Sequence, residues 1–131
     1  MLQLGHINLR TQQLEAMATF YSDILGFAAS QAETRPGSKS HIWLRDPQGR
    51  PAVHLQQAES PAPVDGASDC VGFHHVAFDA EQPDEWAEKL SARGVPFTRK
   101  TFDSAGLEQI NLSDPDGTRI ELVFVVDPSA A

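Results

Sequence analysis

Four residues able to ligate a cation stand out in the 131-residue chain: His6, His54, His75 and Glu121. Imidazole nitrogens and a carboxylate suit zinc, nickel, iron, manganese or cobalt. They are also the side chains least expected at the centre of a strand, where burial without a partner is costly and a metal would satisfy them. Their spacing is what singles them out. His41-Ile-Trp-Leu-Arg-Asp-Pro-Gln-Gly49 resembles Gln109-Ile-Asn-Leu-Ser-Asp-Pro-Asp-Gly117, which sets Asp46 and Asp114 at an offset of 68 (114 − 46). Upstream, Gly5-His-Ile-Asn-Leu9 resembles His74-His-Val-Ala-Phe78, with His6 over His75 at an offset of 69. Downstream, Val53-His-Leu55 resembles Ile120-Glu-Leu122, with His54 over Glu121 at an offset of 67. The four residues therefore hold equivalent places in two copies of one module. A pseudo-twofold axis relating the copies would gather them around one divalent ion.

The elements that must position them follow from the same repeat. Residues 3–10 alternate as a strand, and Thr11 opens a helical pattern in which Leu14, Met17, Ala18, Tyr21, Ile24 and Leu25 recur at three- and four-residue spacing until Gly26. Strands are predicted near 27–34, 40–45 and 52–57, the last two joined by the turn Asp46-Pro-Gln-Gly49. The second copy repeats the order: a strand near 72–79, a helix from Pro83 to Arg93 before Gly94, and strands near 96–101, 107–113 and 119–126, with Asp114-Pro-Asp-Gly117 as the turn. The expected class is α+β: two βαβββ modules related by a pseudo-twofold and forming a curved mixed sheet around a metal-binding cup. The chain reads as one domain over 1–131, with module one at 3–57, a Pro-, Ser-, Ala- and Gly-rich linker at 58–70 and module two at 71–126. The tail from Asp127 is expected to fray.

Composition narrows the function classes. The formal net charge is −8, from 18 acidic and 10 basic residues. No basic stripe is available to neutralise nucleic-acid phosphates or to dock on an anionic membrane. Cys70 is the sole cysteine, so no disulfide can form within the chain, which fits a cytoplasmic location. The start, Met1 to Asn8, carries no basic-then-apolar signal pattern, and no stretch has the apolar length of a membrane span.

Other side chains are weighed against the blander readings. Asn8 follows His6 by two and should share its face, where it could hydrogen-bond a substrate oxygen. Trp43 and Phe97 could line the cup, although aromatics in strands more often serve as core. Arg10, Arg99, Lys100 and Arg119 are candidate anion-binding cations or, equally, solvated strand-end charges. His74 adjoins His75, so alternation points it to the opposite face, and His41 pairs with Gln109 in the repeat; neither is assigned a role. The acidic run Glu81, Asp84, Glu85 and Glu88 reads as the solvated side of the second helix.

The segments Gly5-His-Ile-Asn-Leu9, Phe20-Tyr-Ser-Asp-Ile-Leu-Gly-Phe27, Phe73-His-His-Val-Ala-Phe78 and Asp114-Pro-Asp-Gly-Thr-Arg-Ile-Glu-Leu122 resemble the vicinal oxygen chelate superfamily from Leu4 to about Phe124. That superfamily includes glyoxalase I, type I extradiol dioxygenases, fosfomycin-resistance thiol transferases, methylmalonyl-CoA epimerase and bleomycin-binding proteins. The resemblance implies metal ligands at His6, His54, His75 and Glu121; Glu121 is also the candidate catalytic base, because a carboxylate can move a proton next to a metal-bound enediolate. It implies a small-molecule substrate and a homodimer, in which the ligand set can lie within one chain or be shared between two. His54 departs from glyoxalase I, which usually has Glu there, and Ala58 stands where that enzyme has an Asn. Arg10 matches a position that contacts glutathione in bacterial glyoxalase I. Asn111 stands where extradiol dioxygenases carry a Tyr; with Asn8, Arg10, Trp43 and Phe97 it completes the candidate substrate-contacting set.

Four protein ligands on an octahedral ion leave two open positions, which suits two adjacent substrate oxygens and acidification of a neighbouring C–H. The expected function is a divalent-metal-dependent, glyoxalase-like lyase or isomerase. The alternatives are an iron-dependent extradiol dioxygenase, which would need His54 out of the ligand set, and a non-catalytic small-molecule or antibiotic-binding resistance protein.

Overall fold

Both halves of the repeat fold as their hydrophobic periodicity requires. The computed structural model describes residues 1–34, 39–61 and 72–126. Most of the linker read at 58–70, Cys70 and the tail from Asp127 lie outside them. The chain divides into two compact units, Met1–Gly66 and Ala67–Ala131. Each is a βαβββ unit with a four-stranded mixed sheet, so the class is α+β.

In the first unit, β1 (Ile7–Thr11) leads to α1 (Leu14–Asp23), then β2 (Ala28–Ala29), β3 (His41–Arg45) and β4 (Pro51–Gln57). The sheet order is β1-β4-β3-β2, with β1 parallel to β4 and the other pairs antiparallel. Alternation sends Ile42, Leu44, Val53 and Leu55 to one face, where all four are buried. The same core takes Leu14, Met17, Ala18 and Tyr21 from α1, and Ile24, Leu25 and Phe27 beyond it. Thr11 ends β1 rather than opening the helix; its buried hydroxyl accepts the N–H of Gln13, and the helix begins at Leu14. The strand expected over 27–34 is reduced to two residues and an isolated bridge from Glu33 to His41.

The second unit runs β5 (His75–Asp79), α2 (Pro83–Ala92), β6 (Thr98–Phe102), a 3-10 turn (Asp103–Ala105), β7 (Leu107–Ser113) and β8 (Arg119–Val125). Its order, β5-β8-β7-β6, repeats that of the first sheet. Ile110, Leu112, Ile120, Leu122 and Phe124 form the buried face. Pro83 stands in the first turn of α2, where a missing N–H costs nothing. Leu90 is the fully buried residue of that helix, and Glu81, Asp84, Glu85 and Glu88 are exposed as expected.

The hairpin turns explain why the repeat offset changes from 68 to 67. Gly49 and Gly117 both take left-handed φ angles, 84° and 83°, and both donate an N–H to the carbonyl of the turn aspartate. In the second unit, pairing is regular from Ser113↔Arg119 to Asn111↔Glu121. In the first, Leu44 pairs with Val53 but Arg45 with Pro51, so Ala52 is an extra residue in β4. This bulge realigns the strand so that His54 faces Trp43 as Glu121 faces Asn111.

Candidate functional site

In the first unit, parallel pairing puts Asn8 beside His54 on β4, and antiparallel pairing puts Trp43 on the other side. The indole lies flat on the imidazole, with centroids 4.1 Å apart and planes 6° apart. Such stacking contributes about 1 kcal/mol beyond simple area burial. The His6 ring stands edge-on to both Trp43 (4.9 Å) and His54 (6.3 Å). His6 itself precedes β1 by one residue rather than lying within the expected strand over 3–10, because the ladder starts at Ile7↔Val53, immediately after the bulge in β4.

His54 is the most constrained of the four candidates. Its Nδ1 lies 3.1 Å from the Asn8 side-chain amide. Its Nε2 is buried without a hydrogen-bond partner. Burial, reinforced by His41 and His6 nearby, holds its pKa below the ordinary histidine value, so the ring is neutral near pH 7. A neutral imidazole with an unpartnered nitrogen is the state a divalent cation requires. The Asn8 amide can serve either tautomer, since its nitrogen donates to a bare Nδ1 and its oxygen accepts from Nδ1–H. The second orientation leaves the Nε2 lone pair free for a cation.

In the second unit, His75 Nε2 lies 2.8 Å from Glu121 Oε2, bringing together two atoms of ligand type. Asn111 faces Glu121 across the β7–β8 pair. Thr98, which follows Phe97, pairs in turn with Asn111; Phe97 is half-buried just before β6 rather than in the strand expected from 96. Within the units, then, the structure brings together His6, Asn8, Trp43 and His54, and separately His75, Glu121 and Asn111. Among the described residues, no three His, Cys, Asp or Glu side chains are gathered closely enough to hold a metal. The donors stand as pairs.

Two histidines assigned no role lie beside the candidate ligands. His41 lies on the Trp43 side of β3, its ring 5.2 Å from that of His54, with Nε2 3.5 Å from a carboxylate oxygen of Glu33. Strand alternation could have found it, because His41 and Trp43 are two apart. His74 does not turn to the opposite face. Its Nδ1 is 2.8 Å from His75 Nδ1, and its Nε2 is 3.4 Å from an Arg119 nitrogen. Alternation fails there because β5 begins only at His75, leaving His74 outside the pleat.

The cations also sort themselves. Arg99 is held by Glu108 at 2.7 Å and Asp84 at 2.8 Å, and these pairings raise its pKa above the ordinary arginine value. It is engaged between α2 and β7. Arg10 lines a surface pocket of about 520 Å³ with Lys39, Gln56, Gln57 and Glu59. In that pocket Lys39 forms an ion pair with Glu59. No helix among the described residues is long and apolar enough to cross a membrane.

Comparison with known proteins agrees with this architecture. The model of the Glyoxalase/Bleomycin resistance protein/Dioxygenase superfamily matches residues 3–122. A glyoxylase/bleomycin resistance protein/dioxygenase domain from Frankia sp. EAN1pec superposes with a TM-score of 0.79 at 17% identity, covering 98% of this chain and 95% of that one. The trypanothione-dependent glyoxalase I of Leishmania major gives 0.70 at 20% identity, covering 95% and 87%. FosX, a genomically encoded fosfomycin resistance protein from Listeria monocytogenes, gives 0.73 at 17% identity, covering 100% and 99%. At these identities the likeness is one of fold. No curated protein matches the sequence.

Proposed function

Because the chain belongs to the Glyoxalase/Bleomycin resistance protein/Dioxygenase superfamily, we propose that it is a divalent-metal-dependent lyase or isomerase acting on a small molecule with vicinal oxygens. In this reading His6, His54, His75 and Glu121 share one ion, which is zinc, nickel, iron, manganese or cobalt. The ligands come from one chain or from two chains of a homodimer. The observation that carries the reading is the buried, unpartnered Nε2 of His54, a neutral donor atom with nothing to satisfy it. The His75–Glu121 contact supports it, since both atoms already stand within a ligand-to-ligand distance of each other.

When bound, the ion supplies Lewis acidity, polarising two adjacent substrate oxygens and acidifying the neighbouring C–H. Glu121 would be the base that takes that proton and returns it. Trp43 and Asn8 keep the His54 ring from rotating. Arg10, Phe97 and Asn111 are assigned to substrate contact, together with the free edges of Trp43 and Asn8.

Elemental analysis of the purified protein, paired with Glu121→Gln, tests this. The expected result is one equivalent of divalent metal per site in the wild type, with turnover of a vicinal-oxygen substrate lost in the variant. A metal-free protein that still binds ligand tightly would replace the enzyme with a sequestering protein. Oxygen uptake with catechols after anaerobic iron loading would replace it with a ring-cleaving dioxygenase.

A further inference from the structure

The two copies of the module differ in what fills the gap between the helix and the edge of its sheet. In the second unit, Arg99 lies in β6 opposite Ile110, and its guanidinium reaches Asp84 of α2 at 2.8 Å and Glu108 of β7 at 2.7 Å. Asp84 is the second residue of α2, as Glu15 is of α1. Strand register sets Gln31 against Arg99 in the same way. The Ser30 N–H donates to the Trp43 carbonyl, as Thr98 pairs with Asn111, so the next residue in each unit meets an isoleucine, Ile42 or Ile110. The first unit therefore keeps the carboxylate and lacks the cation. It also carries one residue more. Ser30 bonds to Trp43 but Glu33 pairs with His41, so Gln31 and Ala32 together oppose Ile42. Between this bulged segment and α1 lies a surface cavity of about 460 Å³. Glu15, Gln31 and Ile42 line it, the counterparts of Asp84, Arg99 and Ile110.

We propose that this cavity binds a small molecule bearing a guanidinium group, which takes the place that the Arg99 side chain fills in the second unit. A guanidinium presents five N–H donors in one plane and accepts nothing, so its site must consist of acceptors. The cavity supplies them. Glu15, Thr19, Ser22 and Asp23 recur at helical spacing along one side of α1, and Gln31 contributes a side-chain oxygen from the strand segment. Ser40 stands at the repeat position of Glu108, so the second carboxylate comes instead from Asp23, where α2 has Ala92. Gln31, being uncharged, cannot replace Arg99 as the counter-charge of Glu15. The volume falls in the range of small-molecule pockets, about 300–1,000 Å³. It leaves room for the chain that carries the guanidinium as well as for the group itself. None of the candidate metal ligands or substrate-contacting residues lines this cavity, so the site stands apart from the proposed function and does not depend on it.

Titration of the full chain with butylguanidinium at physiological salt, followed through backbone amide 1H–15N shifts, tests this. Butylammonium and the neutral butylurea serve as matched probes. In an open cavity charge pairs are partly screened, so saturation is expected with a dissociation constant of about 1 mM. The shifts should be confined to α1 and the segment from Ala29 to Ala32. Butylammonium should bind roughly tenfold more weakly, and butylurea should not saturate. Glu15→Gln should weaken butylguanidinium binding by about tenfold, the worth of one hydrogen bond to a charged group. Gln31→Arg supplies the guanidinium from the chain itself and should abolish binding, with the amide shifts of the second unit unchanged as evidence that the protein is folded. Absence of saturable binding overturns the proposal, as does wild-type affinity in Glu15→Gln or undiminished binding in Gln31→Arg. Equal affinity for butylammonium, or saturation by butylurea, overturns recognition of a guanidinium. Shifts scattered over the acidic surface overturn the site, leaving only attraction to the net charge of −8.

Discussion

The two units share a scaffold and differ where chemistry would occur. Their sheets have the same strand order, and their buried faces are nearly interchangeable: Ile42, Leu44, Val53 and Leu55 against Ile110, Leu112, Ile120 and Leu122. On the polar faces the agreement ends. His54 lies between Asn8 and Trp43, a neutral amide and an aromatic plane, whereas Glu121 lies between Ala77 and Asn111 and draws its hydrogen bond from His75. The first unit therefore clamps a neutral donor by stacking and leaves its proton position adjustable. The second sets a carboxylate against His75, which in turn touches His74, and His74 touches Arg119. A duplicated frame can keep its core while its ligand positions take on different tasks, because alternation separates the two faces residue by residue.

The sharpest way to break that comparison is to remove one proposed ligand from each unit. His75→Ala takes away both a proposed ligand and the partner of Glu121, and should lower divalent-metal affinity by more than about a hundredfold, the range in which indirect partners act being 10–100-fold. His54→Ala should lower it less, with about the effect of losing one neutral donor, and should leave Glu121 paired. Competition with a metallochromic chelator measures both. Equal losses would mean that the units contribute alike.

A smaller effect is expected at Asn8, which has no counterpart in the second unit, where the equivalent residue is Ala77. Asn8→Leu deprives His54 Nδ1 of its partner and should weaken metal binding by about tenfold. Asn8→Asp can only accept from Nδ1–H, leaving Nε2 bare, and should bind metal at least as tightly as the wild type. Calorimetric titration with Zn²⁺ checks this order of affinity, with Asn8→Asp first, the wild type next and Asn8→Leu last. Wild-type affinity in Asn8→Leu would remove the amide from the site.

Much of this was legible in the sequence because a duplicated pattern states each element twice. The first helix followed from its three- and four-residue spacing, the second from Pro83 and Gly94, and the two hairpins from their Asp-Pro-x-Gly turns. The change of offset between Asp46/Asp114 and His54/Glu121 was visible as a number, but its cause was not. Only pairing partners identify Ala52 as the extra residue. His74 was misjudged because a pattern of period two applies within a strand and β5 starts one residue later. His41 was passed over because the repeat sets it against Gln109, although its own strand carries it toward His54. Arg99 could not be separated from Arg10 by sequence, since its partners, Asp84 and Glu108, come from two other elements.

The smallest effects concern the matched turn aspartates, and here the contrast is one of hydrogen-bond partners. Asp114 is 5% exposed and its carboxylate accepts the N–H groups of Asp116 and Thr118. Asp114→Ala leaves those two donors in a confined place and should cost about 1–3 kcal/mol in chemical denaturation. Asp46 accepts the N–H and the guanidinium of Arg50, whose side chain is 67% exposed, and Asp46→Ala should cost less because the freed guanidinium returns to water. The Arg50 N–H chiefly, and then its side chain, hold the Asp46 carboxyl below its ordinary value of 3.8. A carboxyl whose folded pKa is depressed adds stability above its unfolded pKa and loses it as pH falls through the folded one. The difference between wild type and Asp46→Ala should therefore be constant at neutral pH and shrink only in acid below 3.8. Denaturation midpoints measured against pH would show this; a gap that persists unchanged in strong acid would mean that the Asp46 side chain acts by shape rather than by charge.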